Sequence, residues 1–224
     1  MSPIPATAGR LQIVSDAICP WCWIGKANLD AALEILAAEG LTFELGWLPF
    51  QLNPEMPEGG VDRRTYRTEK FGSWERSQQL DAQVAEAGRV AGVAFRHDLM
   101  ARTPNTVEAH RLIRLAGEDG VQHATMDRVF RAYFQEGQDI GERGVLAALG
   151  AEAGMAAATL AAFAAGQAAR AEVVEESRAL AQAGINGVPS FLLDRHLLFS
   201  GAMPADRMAD GFRRAVAILR DRAA

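Results

Sequence analysis

Cysteine, tyrosine and lysine are scarce in this chain: it has two cysteines and two tyrosines, and Lys26 and Lys70 are its only lysines. Two cysteines cannot form the disulfide framework on which small secreted domains rely. At 224 residues the chain does not need one, because roughly 100–200 residues per domain suffice to bury a proper core. Apolar runs of the roughly 20 residues that span a bilayer are absent too. The longest weakly polar stretch, Met155 to Ala165, is mostly alanine. Basic runs are also missing, and 23 Lys+Arg against 28 Asp+Glu give a formal net charge of −5. Neither a nucleic acid nor an anionic membrane surface is therefore expected as a partner. The four histidines stand alone, so no second ligand pair completes a zinc site, and no metal is expected. There is no Gly-Lys phosphate loop, dinucleotide fingerprint or serine-nucleophile motif. Met1 to Arg10 has neither a basic n-region nor an apolar h-region, which points to a cytoplasmic protein acting on small molecules or other proteins.

Three blocks follow from the hydrophobic periodicity. Leu11 to Ser15 is a short β-branched run leading into Asp16-Ala-Ile-Cys-Pro-Trp-Cys. From Pro20 to Ala38, Trp23, Ala27, Leu33, Leu36 and Ala37 recur near helical spacing, with Pro20 in a first-turn position and Gly40 as the stop. Thr42 to Leu52 reads as extended, and Asn53-Pro54 closes it. Residues 10–58 thus form a β-α-β unit. Residues 59–183 read as helical blocks with no strand longer than Val93 to Phe95. Residues 184–222 return to β-turn-β-α, with Asp194-Arg195 as the turn and a last helix from about Pro204 to Arg222. The expectation is an α/β fold whose two ends meet in one sheet, interrupted by a large all-helical insertion domain.

Cys19 and Cys22 lie where the first strand passes into the first helix, and their chemistry has three readings. A zinc site lacks its other ligands. A structural disulfide closing so short a loop would gain only about 2 kcal/mol, and a cytosol would reduce it. A redox dithiol uses the position itself. A cysteine at a helix N-terminus faces unpaired N–H groups and the positive end of the macrodipole, which favour thiolate. Cys19 is then the nucleophile, and Cys22, one turn on, resolves the mixed disulfide. Pro20 and Trp21 between them tune that balance, and Trp21 is placed on an exposed apolar docking surface. Val188-Pro189 precedes a strand; spacing alone favours a plain strand-start proline, although a cis proline there would fix an edge for an extended peptide.

Asp16-Ala-Ile-Cys-Pro-Trp-Cys-Trp-Ile-Gly-Lys, Pro49-Phe-Gln-Leu-Asn-Pro, Tyr133-Phe-Gln-Glu-Gly-Gln-Asp-Ile and Gly184-Ile-Asn-Gly-Val-Pro-Ser-Phe resemble the DsbA-like thiol-disulfide oxidoreductases of the FrnE group. The resemblance spans nearly the whole chain and implies a thioredoxin fold with the helical insertion. It further implies that Cys19 attacks, Cys22 resolves, Pro189 is cis and faces them, and Val188 pairs with substrate backbone. Kappa-class glutathione transferases and 2-hydroxychromene-2-carboxylate isomerases resemble the chain less closely. They supply the alternative, a glutathione-dependent isomerase or transferase. The intact Cys-Pro-Trp-Cys favours dithiol chemistry on disulfide-containing proteins or small thiols, with no bound cofactor and glutathione as a redox partner.

Trp23 is expected in the core. Arg63-Arg64-Thr-Tyr-Arg67 resembles an anion site but is expected to be a solvated helix face, and His110, among Val107, Leu112, Ile113 and Leu115, a packing residue. Asp16 is either a proton carrier for the cysteines or a turn cap. A polypeptide-binding module without turnover would use Trp21 and the Pro189 edge alone. Apolar helix faces in the insertion are open to internal packing or a homodimer.

Overall fold

The computed structural model describes residues 7–223; most of Met1 to Arg10, on which the leader reading rests, lies outside them. In chain order the elements are β1 (Arg10–Ser15), α1 (Pro20–Ala38), β2 (Glu44–Pro49), β3 (Val61–Asp62), α2 (Arg63–Phe71), α3 (Trp74–Val90), β4 (Arg102–Thr103), α4 (Val107–Ala116), α5 (Gln122–Phe134), α6 (Arg143–Glu152), α7 (Ala157–Ala164), α8 (Arg170–Gln182), β5 (Ser190–Leu193), β6 (His196–Ser200) and α9 (Ala205–Ala223). The main sheet runs β2-β1-β5-β6, with β1 parallel to β2 and antiparallel to β5. Both ends of the chain therefore share one sheet, and α2 to α8 lie between them in sequence.

Alternation along the strands sends one set of side chains to each face. Leu11, Ile13, Phe191 and Leu193 face α1 and α9, packing with Leu29, Ala32, Leu36, Met208 and Phe212 or with Val216. Val14 and Leu192 face the other way and join Phe50, Ile185 and Leu180 of α8. α1 stops where Gly40 takes φ 79, and Leu41 N–H donates to Leu36 O at 2.9 Å, the six-to-one bond that a left-handed glycine permits. Among the described residues no helix is long and apolar enough to cross a membrane.

Two sequence expectations need correction. Val93 to Phe95 is not a strand; Gly92, at φ 78, turns the chain, and Phe95 packs edge-on against Trp23 at 4.9 Å between ring centroids. The strands in this stretch are β3 and β4, two residues each and paired with one another, too short to show a period. The second strand ends at Pro49 rather than Leu52. Beyond it, Gln51 N–H donates to Ser177 Oγ at 2.9 Å and Leu52 N–H to Asp16 Oδ2 at 2.8 Å, bonds made away from the ladder.

Two clusters tie α1 to the helical part. Trp23, 2% exposed, stacks on Phe134 at 5.7 Å as well as meeting Phe95. A polar cluster lies one turn further along. Lys26 Nζ, buried, donates to Asp30 at 2.6 Å and pairs with Asp127 of α5 at 3.1 Å. His123 Nε2 meets Asp30 at 2.8 Å, and its Nδ1 accepts from Trp47 Nε1 at 3.2 Å. Burial pushes the Asp30 carboxyl up, but the bonds from His123 and Lys26 outweigh it and hold it below its ordinary value.

Trp23→Ala should therefore cost about 3–5 kcal/mol in denaturant unfolding, the range for emptying a large aromatic site; a loss under 1 kcal/mol would place the aromatic cluster outside the stable core. The depressed Asp30 carboxyl contributes stability in full above its unfolded value of about 3.9, and that contribution is lost as pH falls through the lower folded value. Asp30→Asn should accordingly flatten the acid limb of a stability-versus-pH curve, and an unchanged limb would show that Lys26 and His123 exert no net pull on Asp30.

Candidate active site

β1 ends at Ser15, and the turn after it delivers the two sulfurs. Cys19 N–H donates to Asp16 O and Cys22 N–H to Cys19 O, each at 3.0 Å. Cys19 is the extended N-cap residue of α1, and Pro20 occupies the first turn, where its missing N–H costs nothing. Both cysteines are free thiols. The Cys19 Sγ lies 3.7 Å from Val188 O. Cys22 sits deeper, 1% exposed. Burial pushes its thiol well above the ordinary value; the neighbouring Cys19 adds to the rise, and the Ser15 hydroxyl and Asp16 backbone oppose it. The two sulfurs are thus unequal: one lies on the surface of a cavity and the other behind it.

The segment facing them is fixed from three sides. The Val188–Pro189 peptide bond is cis. Pro189 O accepts from Gly201 N–H at 2.7 Å, and Ser190 Oγ donates to Gly187 O at 2.7 Å. From below, α1 comes close because residue 25 has no side chain: a Cβ on Gly25 would stand 2.7 Å from Pro189 Cγ. Gly25 belongs to the motif around the cysteines, and sequence reasoning did not single it out. A helical glycine following such a motif is the signal that could have found it.

A cavity of about 390 Å³ opens beside Cys19. Cys19, Pro20, Trp21 and Val188 line one wall, and α2 and α3 supply the other through Tyr66, Arg67, Lys70, Leu80 and Val84. Trp21 is 43% exposed at its rim. The Leu52–Asn53 loop closes one end and is pinned by Asp16, whose Oδ2 accepts from Leu52 N–H. Behind it, His110 Nε2 lies 3.3 Å from Asp16 Oδ1 and 3.2 Å from Phe50 O. Asp16 is fully buried and anchors this loop, and His110, also buried, is hydrogen-bonded there.

The expectation of a solvated face holds for Arg64 and Thr65, which are exposed, and is overturned for Arg63 and Arg67. Arg63 is buried and Arg67 half-buried, and both point inward to Asp81, each at 2.7 Å from a different carboxylate oxygen. Residues 63, 66, 67, 70 and 71 recur at helical spacing on one face of α2, and that face lines the cavity. The stripe was present in the sequence; what was missing was the cavity for it to face. Asn53, Tyr66, Lys70, Asp81 and His97 are cavity residues that sequence reasoning did not propose.

Residues 10–213 match the model of the DSBA-like thioredoxin domain. The chain belongs to that family. The family is one of thiol-disulfide oxidoreductases. A probable DsbA oxidoreductase from Streptomyces coelicolor is similar in structure, with a TM-score of 0.81 and 32% identity over 92% of this chain and 89% of that one. The cytosolic disulfide reductase DsbM from Pseudomonas aeruginosa shares the fold, with a TM-score of 0.62 and 22% identity over 96% and 98% of the two chains. The uncharacterized protein YwbO from Bacillus subtilis is 30% identical over 146 residues, 65% of this chain and 66% of that relative, just under two thirds of its length. All six residues proposed for the site meet in this family's fold: Cys19, Pro20, Trp21 and Val188 line the cavity, Cys22 lies behind Cys19, and Pro189 rests on Gly25.

Gly25→Ala should lower stability by about 1–3 kcal/mol, the usual cost of overpacking. It should also slow thiol exchange by displacing Pro189 and with it Val188. Exchange at the wild-type rate in a folded Gly25→Ala protein would show that this close approach does not govern the site.

Proposed function

We propose that the chain is a cytoplasmic thiol-disulfide oxidoreductase in which Cys19 attacks and Cys22 resolves. The observation that carries this reading is the inequality of the sulfurs: Cys19 lines the cavity beside Val188 O, and Cys22 is buried behind it with its thiol pushed up. In the first step the Cys19 thiolate attacks one sulfur of a substrate disulfide; the substrate S–S bond breaks, a mixed disulfide forms on Cys19, and one substrate thiolate leaves. In the second, Cys22 loses its proton to solvent and its sulfur attacks Cys19, releasing the second substrate thiolate. The substrate gains two electrons and the Cys19–Cys22 pair loses them; run backwards, the same steps oxidise a dithiol.

The order of events follows from the causes of the Cys22 shift. Burial is the largest, and the Cys19 side chain adds to it. Once Cys19 is bound in a mixed disulfide it carries no charge, and its part of the penalty falls away. Cys22 becomes easier to ionise only when there is an adduct to resolve. Val188 and Pro189 present the backbone edge for an extended substrate, and Pro20 and Trp21 its other boundary. A glutathione-dependent isomerase or transferase, the alternative on the same fold, gains no support from a site that holds a second sulfur behind the first.

Cys19→Ser should reduce disulfides no faster than the uncatalysed reaction, and wild-type turnover in that variant overturns the proposal. Cys22→Ser should accumulate a stable mixed disulfide on Cys19, read by intact mass. In the wild type, release of the second thiol should accelerate with pH, roughly tenfold per unit while Cys22 remains mostly protonated; a pH-independent release step would assign resolution to another group.

A further inference from the structure

The cavity beside Cys19 has more positive charge than its surroundings neutralise. Arg63, Arg67 and Lys70 line it, and Asp81 is the one carboxylate among the described lining residues. Asp81 is already shared: Arg63 and Arg67 each hold one of its oxygens at 2.7 Å, and Arg67 also donates to Ser77 Oγ at 2.5 Å. Burial, with the charge of Arg63, lowers the affinity of Arg67 for its proton despite Asp81. His97, also in the wall, is shifted toward the neutral form by its burial.

Lys70 is held differently. Its Nζ donates to Tyr66 Oη at 2.6 Å and to Asn53 Oδ1 at 3.3 Å, and Tyr66 OH donates to Asn53 Oδ1 at 2.6 Å. Among the described residues no carboxylate pairs with it. Lys70 is exposed, and its ammonium is held at the cavity wall by two neutral groups rather than by a carboxylate. Asn53 Nδ2, in the same cluster, is buried with no partner at all. The trio therefore has a full positive charge and an unused amide donor more than it has acceptors, and it lies on the wall that a molecule attached to Cys19 would touch.

We propose that this cavity selects low-molecular-weight disulfides bearing a carboxylate, with Lys70, held by Tyr66 and Asn53, as the residue that reads the negative charge. This rests on Cys19 being the attacking sulfur and names the substrate class for it. The cavity's size, about 390 Å³, lies within the roughly 300–1,000 Å³ typical of small-molecule sites. In the reaction, the Cys19 thiolate displaces one carboxylated thiolate from the disulfide and Cys22 displaces the other, so the protein gives up two electrons and two protons and the disulfide becomes two thiols. The chain's net charge of −5 repels anions at long range, so a preference for an anionic substrate has to come from the cavity.

The full-length reduced protein would be reacted with dithiodiglycolate, hydroxyethyl disulfide and cystamine, which are anionic, neutral and cationic. Each rate would be divided by that of free mercaptoethanol with the same disulfide to remove intrinsic reactivity. The expected order is anionic, then neutral, then cationic, with about a tenfold span that narrows as salt rises. Lys70→Gln should reduce the span several-fold and Lys70→Glu reverse the order; Tyr66→Phe, which loosens Lys70 without changing charge, should reduce it less. A span absent in the wild type, or equal in the wild type, Lys70→Gln and Lys70→Glu, overturns the proposal. If instead none of the three disulfides leaves an adduct on Cys22→Ser protein, the attacking role of Cys19 has failed, and the two failures are distinguishable. Should Lys70→Glu not fold, Lys70→Gln and the salt titration decide alone.

Discussion

β1 pairs with β5 in antiparallel register, Ile13 against Phe191 and Val14 against Ser190, and this pairing brings together two chain segments separated by the whole helical part. Because β1 runs directly into the Cys19 turn and the Val188–Pro189 segment runs directly into β5, the ladder sets where the Cys19 sulfur lies relative to the backbone that faces it. The 3.7 Å separation of Cys19 Sγ and Val188 O is a consequence of that register. A one-residue slip would turn Phe191 and Ile13 out of the core, so burial of the apolar face maintains the chemistry's geometry. Gly25 completes the constraint from below, since only a residue without a side chain lets α1 approach Pro189 so closely.

The helical part contributes a second wall rather than a separate core. Trp23, Phe95 and Phe134 join it to α1 by aromatic contacts, and Lys26, Asp30, His123 and Asp127 join it by charged ones. The apolar cluster supplies most of the stability, as burial of large rings does. The polar cluster, with partly exposed carboxylates, contributes less energy and more direction: it sets how α5 lies against α1. Asp16 acts similarly on a smaller scale: its backbone accepts from Cys19 N–H, and its side chain accepts from Leu52 N–H, which ties the Leu52–Asn53 loop to the cysteine turn.

Both sulfurs are buried, but only Cys19 lines the cavity, and the proposed order of events needs no moving parts. Charge at the first position raises the cost of charge at the second, and neutralising the first by a covalent bond removes that part of the cost. On the facing wall Arg63, Arg67 and Lys70 outnumber the one carboxylate among the described lining residues, Asp81. Lys70, unlike Cys22, is exposed, so its pull on an incoming anion is screened by water and salt.

Local pattern alone determined a good deal of this protein. The limits of α1, the Asp194-Arg195 turn between the last two strands and the closeness of Cys19 to Cys22 were all legible, because they depend on glycine and proline punctuation, strand alternation and spacing within one helical turn. The core position of Trp23 was legible for the same reason. The tertiary structure decided the rest. Whether the α2 arginines face water or a cavity depends on what α3 and Asp81 place opposite them, and a single helix's periodicity carries no information about its neighbours. The bond that Asp16 accepts depends on a loop from beyond β2, and the close approach at Gly25 on a proline more than 160 positions away. A hydrogen-bonded loop or a close backbone approach is a relation between distant residues, and only folding brings its two halves together.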